Sequence, residues 1–338
     1  RPTRRSPTIV VRQRTGGAGP ADFGETFAAI AANVSKVVQG KADVVELVLL
    51  CMVAEGHLLI EDVPGVGKTS LAKALATSVE GRWGRIQFTP DLLPSDVVGV
   101  TVWNRGRDEF EFRPGAVFTN LLLGDEINRA SPKTQSALLE CMEERQVTVD
   151  GTTYELEQPF MVIATQNPVE HEGTYPLPES QLDRFLMRVS VGYPARGAEV
   201  GILDSHGKGD VLDEIGPVAT VKDVRAMADA ALEVHVAPSL QGYLVDLAET
   251  TRRHPALALG MSPRATLALQ RASRARAAAA GRAYVVPDDI KALAEPVLAH
   301  RLVLTPEASM QGVGTEEIVA DVLRHVPVPS GRTAERGE

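Results

Sequence analysis

The chain has 338 residues, 44% of them hydrophobic and 23% charged, with a formal net charge of −9. That length admits two domains with a sizeable core, the composition is that of a soluble globular protein, and the acidic balance argues against nucleic acid as the main partner. No run of about 18 apolar residues occurs, so no membrane span is expected; no apolar signal-peptide core follows the basic N-terminus, and a cytoplasmic protein is expected.

Residues 1–22 are rich in Arg, Thr, Gly and Pro without periodicity and read as a disordered tail. Residues 27–38 and 42–55 follow as helices, broken by Gly40 and Gly56; the second is apolar on most sides, as a helix packed on a sheet would be. Cys51 lies in it and Cys141 in a later helix, and both read as buried, reduced thiols. The run His57-Leu-Leu-Ile60 then reads as a buried strand. It leads into Asp62-Val-Pro-Gly-Val-Gly-Lys-Thr-Ser70 and a helix over 71–79 closed by Gly81. A strand, a glycine-rich turn and a helix in that order form the setting of a phosphate-binding loop. Gly65 and Gly67 let the backbone approach an anion, and the helix N-terminus adds its positive dipole end. Lys68 would reach the β- and γ-phosphates and Thr69 would ligate Mg²⁺. The full pattern has a glycine where this chain has Asp62.

Further along, residues 85–89 read as a strand. Residues 99–103 and 109–112 alternate around the polar turn 104–108 as a hairpin, whose tip is expected to be exposed and to face a pore or a client. A second hairpin, 146–149 with 153–156, turns on Asp150-Gly151. Between them an apolar run ends in Asp125-Glu126, and Ser131-Pro132 opens a helix to Glu144. Another buried strand, 160–165, is followed by Gln166-Asn167-Pro168. Strands alternating with helices predict an α/β fold, a mainly parallel sheet with helices on both faces, over residues 23–193. From Pro194 the β-signals fade. Helices are expected over 197–206, 221–232, 240–251, 263–280 and 287–299, forming a helical domain over 194–326 with a frayed tail at 327–338. The arginines of 271–280 read as a solvated face in preference to a nucleic-acid stripe.

Asp125 is placed to hold Mg²⁺ through water, and Glu126 to polarise the attacking water as general base. Asn167, at the end of the next strand, could orient that water or sense the γ-phosphate; a plain turn residue before Pro168 is the other reading. Arg184, in Leu182-Asp-Arg-Phe185, has the planar, permanently charged fork of a transition-state clamp, against a salt bridge to a carboxylate such as Asp183. Arg264 sits in the first turn of a helix, where a cation opposes the dipole and needs compensation, for which a phosphate is one candidate. His57 and His171 read as structural or solvent-exposed, and no His/Cys spacing suggests zinc.

Together these residues resemble the MoxR-type ATPases of the AAA+ superfamily, in the helix-2-insert clade. The matching segments are the loop from Gly56 to Thr69, Asp125-Glu-Ile-Asn-Arg-Ala130, Ala164-Thr-Gln-Asn-Pro168, Tyr175-Pro-Leu-Pro-Glu179, Leu182-Asp-Arg-Phe185 and Ser262-Pro-Arg-Ala265. Asp62 in place of the first glycine is usual in that family. The resemblance implies an α/β nucleotide domain with an all-α lid, and a Mg²⁺-dependent ATP hydrolase. Asp62, Pro64, Gly65, Val66, Gly67, Lys68, Thr69 and Ser70 would form Walker A, and Asp125 and Glu126 Walker B. Asn167 would be sensor 1, Arg184 an arginine finger acting on a neighbouring subunit and Arg264 sensor 2. Val38 and Gly40 match the segment that meets adenine, and the hairpin at 99–112 matches the clade's insert. It also implies a ring, a hexamer, that binds ATP or ADP and works with a von Willebrand factor A-domain protein to remodel or mature client complexes. A nucleic-acid-stimulated motor of helicase type is the alternative; a module that binds nucleotide without hydrolysis is weakened by intact Lys68, Glu126 and Arg184.

Overall fold

Chain segments with no polar face become the inner strands of one sheet. The computed structural model describes residues 20–168, 173–194, 196–197, 199–200 and 211–329. In it, β1 (Leu58–Glu61), β3 (Trp83–Gln87), β6 (Leu121–Asp125), β9 (Met161–Gln166) and β10 (Met187–Val189) form a parallel sheet of order β10-β1-β9-β6-β3. β6 is buried along its whole length and β9 along all but its last residue, which is why both read as continuous apolar runs. Alternate residues feed two cores. Leu58, Ile60, Leu123 and Ile163 face one with α1 (Pro20–Val37), α2 (Ala42–Val53) and α3 (Lys68–Ser78). Leu59, Leu122, Val162 and Ala164 face the other with α4 (Pro94–Val98) and α5 (Pro132–Glu144). Gly124 is required by close approach: a Cβ there would stand 3.0 Å from the Phe88 ring.

The predicted elements recur with shifted ends. α1 begins at Pro20 and buries Phe23, Phe27, Ile30 and Val34, a stripe of helical period; residues 1–19 of the expected tail lie outside the described residues. α3 is closed by extended Val79 and not by Gly81, because Val79–Glu80 form β2, paired in parallel with β11 (Ala219–Thr220). Both hairpins form, β4 (Gly99–Asn104) with β5 (Glu109–Pro114) and β7 (Gln146–Val149) with β8 (Thr152–Glu155). Phe112 of the first stacks on Tyr154 of the second with centroids 4.0 Å apart. α6 (Glu179–Leu182) precedes β10. Cys51 and Cys141 are buried and free.

Beyond β11 the chain is helical: α7 (Val221–Leu232), α8 (Pro238–Arg252), α9 (Pro263–Ala279), α10 (Pro287–Leu298), α11 (Pro306–Met310) and α12 (Thr315–His325), with a two-strand ladder of β12 (Leu257–Leu259) and β13 (Val303–Leu304). The helix expected at 197–206 lies mostly outside the described residues. The lid packs on α2 through the same core as the sheet. Arg271 and Arg276 of α9 meet Glu55 at 3.4 Å and Glu46 at 3.2 Å, so they join lid to nucleotide domain and form neither a solvated face nor a nucleic-acid stripe.

His57, at the foot of β1, is structural. Its Nδ1 accepts from the Val162 amide at 3.0 Å and its Nε2 lies 3.0 Å from the Met142 carbonyl, which fixes the tautomer with the proton on Nε2. Burial pushes the imidazole down from its ordinary 6.5 to about 4, with the Met142 carbonyl opposing. The unfolded chain therefore binds this proton first as pH falls, so the ring's contribution is complete above pH 6.5 and is lost towards pH 4. Buried His300 is shifted down too, with the same sign. Urea unfolding at pH 7 and pH 5 should show about 2 kcal/mol lost through His57, and His57→Gln should flatten that part of the pH dependence.

Candidate nucleotide site

β1 delivers its chain to the carboxyl edge of the sheet, where residues 62–67 turn back into α3. Gly65 and Gly67 adopt φ of +84° and +89°, a region that disfavours any side chain, and an added Cβ on either would meet nothing within 4 Å. Backbone conformation, and not crowding, selects glycine here, and the space over the turn is open. No side chain caps α3 at Gly67, so its amino end is available to an anion. Lys68 begins the helix and donates from Nζ to the Asp62 carbonyl at 2.6 Å, across the mouth of the turn. Thr69 and Ser70 follow in the first turn of α3, half-buried, while Pro64 is exposed and Val66 is buried.

Asp62 holds this turn in place. Its carboxylate accepts from Gly192 N at 2.6 Å, Ser190 Oγ at 3.0 Å and Val63 N at 2.8 Å. Burial alone would raise its pKa, but these bonds, with one from Val191 N, outweigh that and hold it below the ordinary carboxylate value. The side chain thus faces the segment that follows β10. The Asp62 backbone, and not its carboxylate, is the part of the residue left to the turn: its carbonyl accepts from Lys68. The same segment meets the turn after α1 through Lys41, which donates from Nζ to the Tyr193 carbonyl at 2.9 Å; Gly40 before it has φ +73°.

β6 and β9 end beside the turn, with β9 next to β1. The Asp125 carboxylate is 9% exposed; Oδ2 accepts from Arg85 Nε at 2.7 Å and Oδ1 from Thr165 Oγ1 at 3.3 Å. Glu126 has φ +57°, a left-handed conformation uncommon outside glycine, and its amide donates to Thr165 Oγ1 at 3.0 Å. Its Oε2 accepts from Gln87 Nε2 at 2.8 Å and Arg129 Nη1 at 3.0 Å. Asn167 is buried directly after β9, and its carbonyl accepts from Asn128 Nδ2 at 3.5 Å. Loop, acidic pair and Asn167 thus share the carboxyl edge of a parallel sheet, where open α/β folds bind ligands. Arg85, Gln87, Arg129 and Thr165 were not among the residues singled out from the sequence; Arg85 and Gln87 stand two apart on an edge strand, a signal only once the pairing of β3 with β6 is known.

The donor set suits Mg²⁺. One hydroxyl and one carboxylate are hard oxygen ligands, too few to hold the ion without phosphates; the described residues contain no cluster of three His, Cys, Asp or Glu side chains placed for a metal. Both Asp125 oxygens already have partners, which fits a contact through water.

Arg184 and Arg264 do not join this group. Arg184 Nη2 lies 3.2 Å from Glu143 Oε2; Arg264 Nη2 bonds Glu143 Oε1, and its Nε lies 3.8 Å from Asp183. These two carboxylates lie against Arg264 at its helix start, and Glu143 in place of Asp183 pairs Arg184. The cluster sits at the amino edge of the sheet. The Leu186 amide donates to the His57 carbonyl at 2.8 Å, before β1 begins, whereas the loop leaves β1 at its other end. The strand alone separates them by roughly 13 Å. The structure thus brings the two arginines together, and apart from this chain's own loop.

Residues 57–187 match the profile of the ATPase family associated with various cellular activities (AAA), and residues 249–322 match the AAA lid domain. The chain is 49% identical over 304 residues to YeaC of Bacillus subtilis, described as uncharacterised, covering 90% of this chain and 95% of that protein. It is 41% identical over 306 residues to the chaperone MoxR1 of Mycobacterium tuberculosis, covering 88% and 81%. Among solved structures, a presumptive ATPase from Cytophaga hutchinsonii superposes with a TM-score of 0.85 at 38% identity, covering 92% of this chain and 97% of that one. If the turn binds phosphates, replacing Lys68 by Ala should leave the fold intact and reduce the binding of a fluorescent ATP analogue by at least about tenfold, since it removes a cation at the mouth of the turn; titration of the folded variant checks this.

Proposed function

The chain belongs to the MoxR family of AAA+ ATPases, and on that premise we propose that it is a Mg²⁺-dependent ATP hydrolase that works as a ring and remodels or matures partner protein complexes. The observation that carries the reading is the convergence of Lys68, Thr69, Asp125, Glu126 and Asn167 on one edge of the sheet, around a turn open to an anion. The amides at the start of α3 and the Lys68 ammonium bind the phosphates. Thr69 and Asp125 would hold Mg²⁺, which, when bound, would supply positive charge to the phosphates. Glu126 takes the proton of the attacking water, for which it first exchanges Gln87 and Arg129 for that water. Asn167 orients the water, and the segment Val38 to Gly40 lies against the adenine.

Arg184 and Arg264 serve a neighbouring subunit. Both are partly exposed, both lie at the edge opposite their own loop, and both are held by Glu143. A guanidinium from outside neutralises the charge that develops on the γ-phosphate, and such fingers are worth about 10³–10⁵ in rate. Closure into a hexameric ring lets every loop receive one. The hairpin tip, exposed from Arg105 to Asp108 and flanked by the exposed pair Trp103 and Phe110, is the client-facing element. A von Willebrand factor A-domain protein is the expected partner, and the cytoplasm the site of action. The helicase-type alternative has no observation in its favour, since the arginine-rich face of α9 is spent on Glu46 and Glu55.

Glu126→Gln is the test. It should bind Mg²⁺–ATP as the parent does and turn it over about 10²–10⁴-fold more slowly, read as phosphate release beside a binding titration. Parent-rate hydrolysis would place the base elsewhere.

A further inference from the structure

The segment that carries Arg184 is gripped from the lid. Arg301 lies in the 3₁₀ turn Ala299–Arg301 after α10, with its side chain only 4% exposed. Its Nε donates to Asp183 Oδ1 at 2.8 Å. Its Nη2 donates to the carbonyls of Asp183 at 3.2 Å and Phe185 at 2.7 Å, and its Nη1 to the carbonyl of Leu186 at 3.2 Å and to that of Val297. His300 meets the same Phe185 carbonyl at 3.0 Å through Nε2. Two consecutive lid residues therefore bind the backbone on both sides of Arg184, and the side chain before it, while Arg184 itself reaches Glu143. A guanidinium buried with one carboxylate partner contributes little net stability, because desolvation offsets the attraction. Only replacement of the arginine together with its acidic partner would be neutral, so net stability is not what the pair supplies. What arginine supplies is a rigid fork of donors that fixes several oxygens of one segment at once.

We propose that Arg301 is a positioning residue for Arg184: it fastens the finger segment to the lid of the same chain, so that the finger offered to a neighbour moves with that lid. The inference rests on the reading of Arg184 as a finger acting in trans. It extends that reading by naming what sets the finger's position. The lid also meets its own nucleotide domain beside the loop, where Arg188 of β10 bonds Glu316 of α12 at 2.6 Å and Glu61 at 3.0 Å. A chain's own lid position would thereby govern hydrolysis next door.

A double-mutant cycle on the assembled full chain tests this. ATP turnover, KM and sedimentation are compared for Arg184→Ala, Arg301→Met and the two combined. Arg301→Met should lower kcat by roughly 10- to 100-fold, as a misplacement of about 1 Å does, with KM and assembly unchanged. Added to Arg184→Ala, it should slow turnover by no more than about twofold, because a residue that acts only through the finger has nothing left to position. Losses that multiply in the combined variant would overturn the proposal, as would parent-like kcat for Arg301→Met. If Arg301→Met does not fold, Arg301→Lys, which keeps a charge for Asp183 but cannot span the carbonyls, carries the same cycle with the same expected results. Parent-like turnover by assembled Arg184→Ala is a separate outcome, which would overturn the finger reading itself.

Discussion

A parallel sheet has two unlike edges, and the organisation of this protein follows from that polarity. All five strands point the same way, so every strand-to-helix turn that can cradle an anion lies on the carboxyl edge, and every helix-to-strand return on the amino edge. The loop, Asp125, Glu126 and Asn167 lie on the first. Arg184, which precedes β10, lies on the second with Arg264 beside it. Their separation is fixed by the length of the strands and no side-chain rotation closes it. In the proposed mechanism the ring supplies what one chain's geometry withholds, because an adjacent subunit can present its amino edge to the first subunit's carboxyl edge.

The two edges are also linked through β10 and the segment after it. Asp62 receives Ser190 and Gly192 from that segment, Glu61 receives Arg188 from the strand itself, and the residues before the strand are held by His300 and Arg301. Asp62, where the usual loop pattern has a glycine, is therefore a structural substitution: a carboxylate that binds three backbone amides and a hydroxyl fixes the start of the turn against the connection to the lid.

The loop was legible in the sequence because its chemistry is local: glycines, lysine and threonine fall within a few residues, and the flanking strand and helix are recognisable by pattern. The acidic pair was legible because the buried strand before it is an unbroken apolar run. Partner choice was not legible. Arg264 meets Glu143 across 121 positions, Arg301 meets Asp183 across 118 and Asp62 meets Gly192 across 130. Such contacts are set by topology, which no local period encodes. Short elements escaped for a related reason: β2, β11 and β13 have two residues each and α4 five, too few to display a period. The arginines of α9 were misassigned because a charged stripe looks alike whether it faces water or the acidic side of another helix.

The central claim is that a catalytic site is assembled from the loop of one subunit and Arg184 of the next. Mixing two inactive variants addresses it most directly. Arg184→Ala lacks the finger and Glu126→Gln lacks the base, so homogeneous rings of either have no complete site. Rings that contain both have some sites in which an intact Glu126 faces a neighbour's intact Arg184. The account predicts that steady-state phosphate release, negligible for each variant alone, returns in the mixture in proportion to such pairings. Mixed rings that form, as followed by subunit exchange, and yet release no phosphate would contradict it.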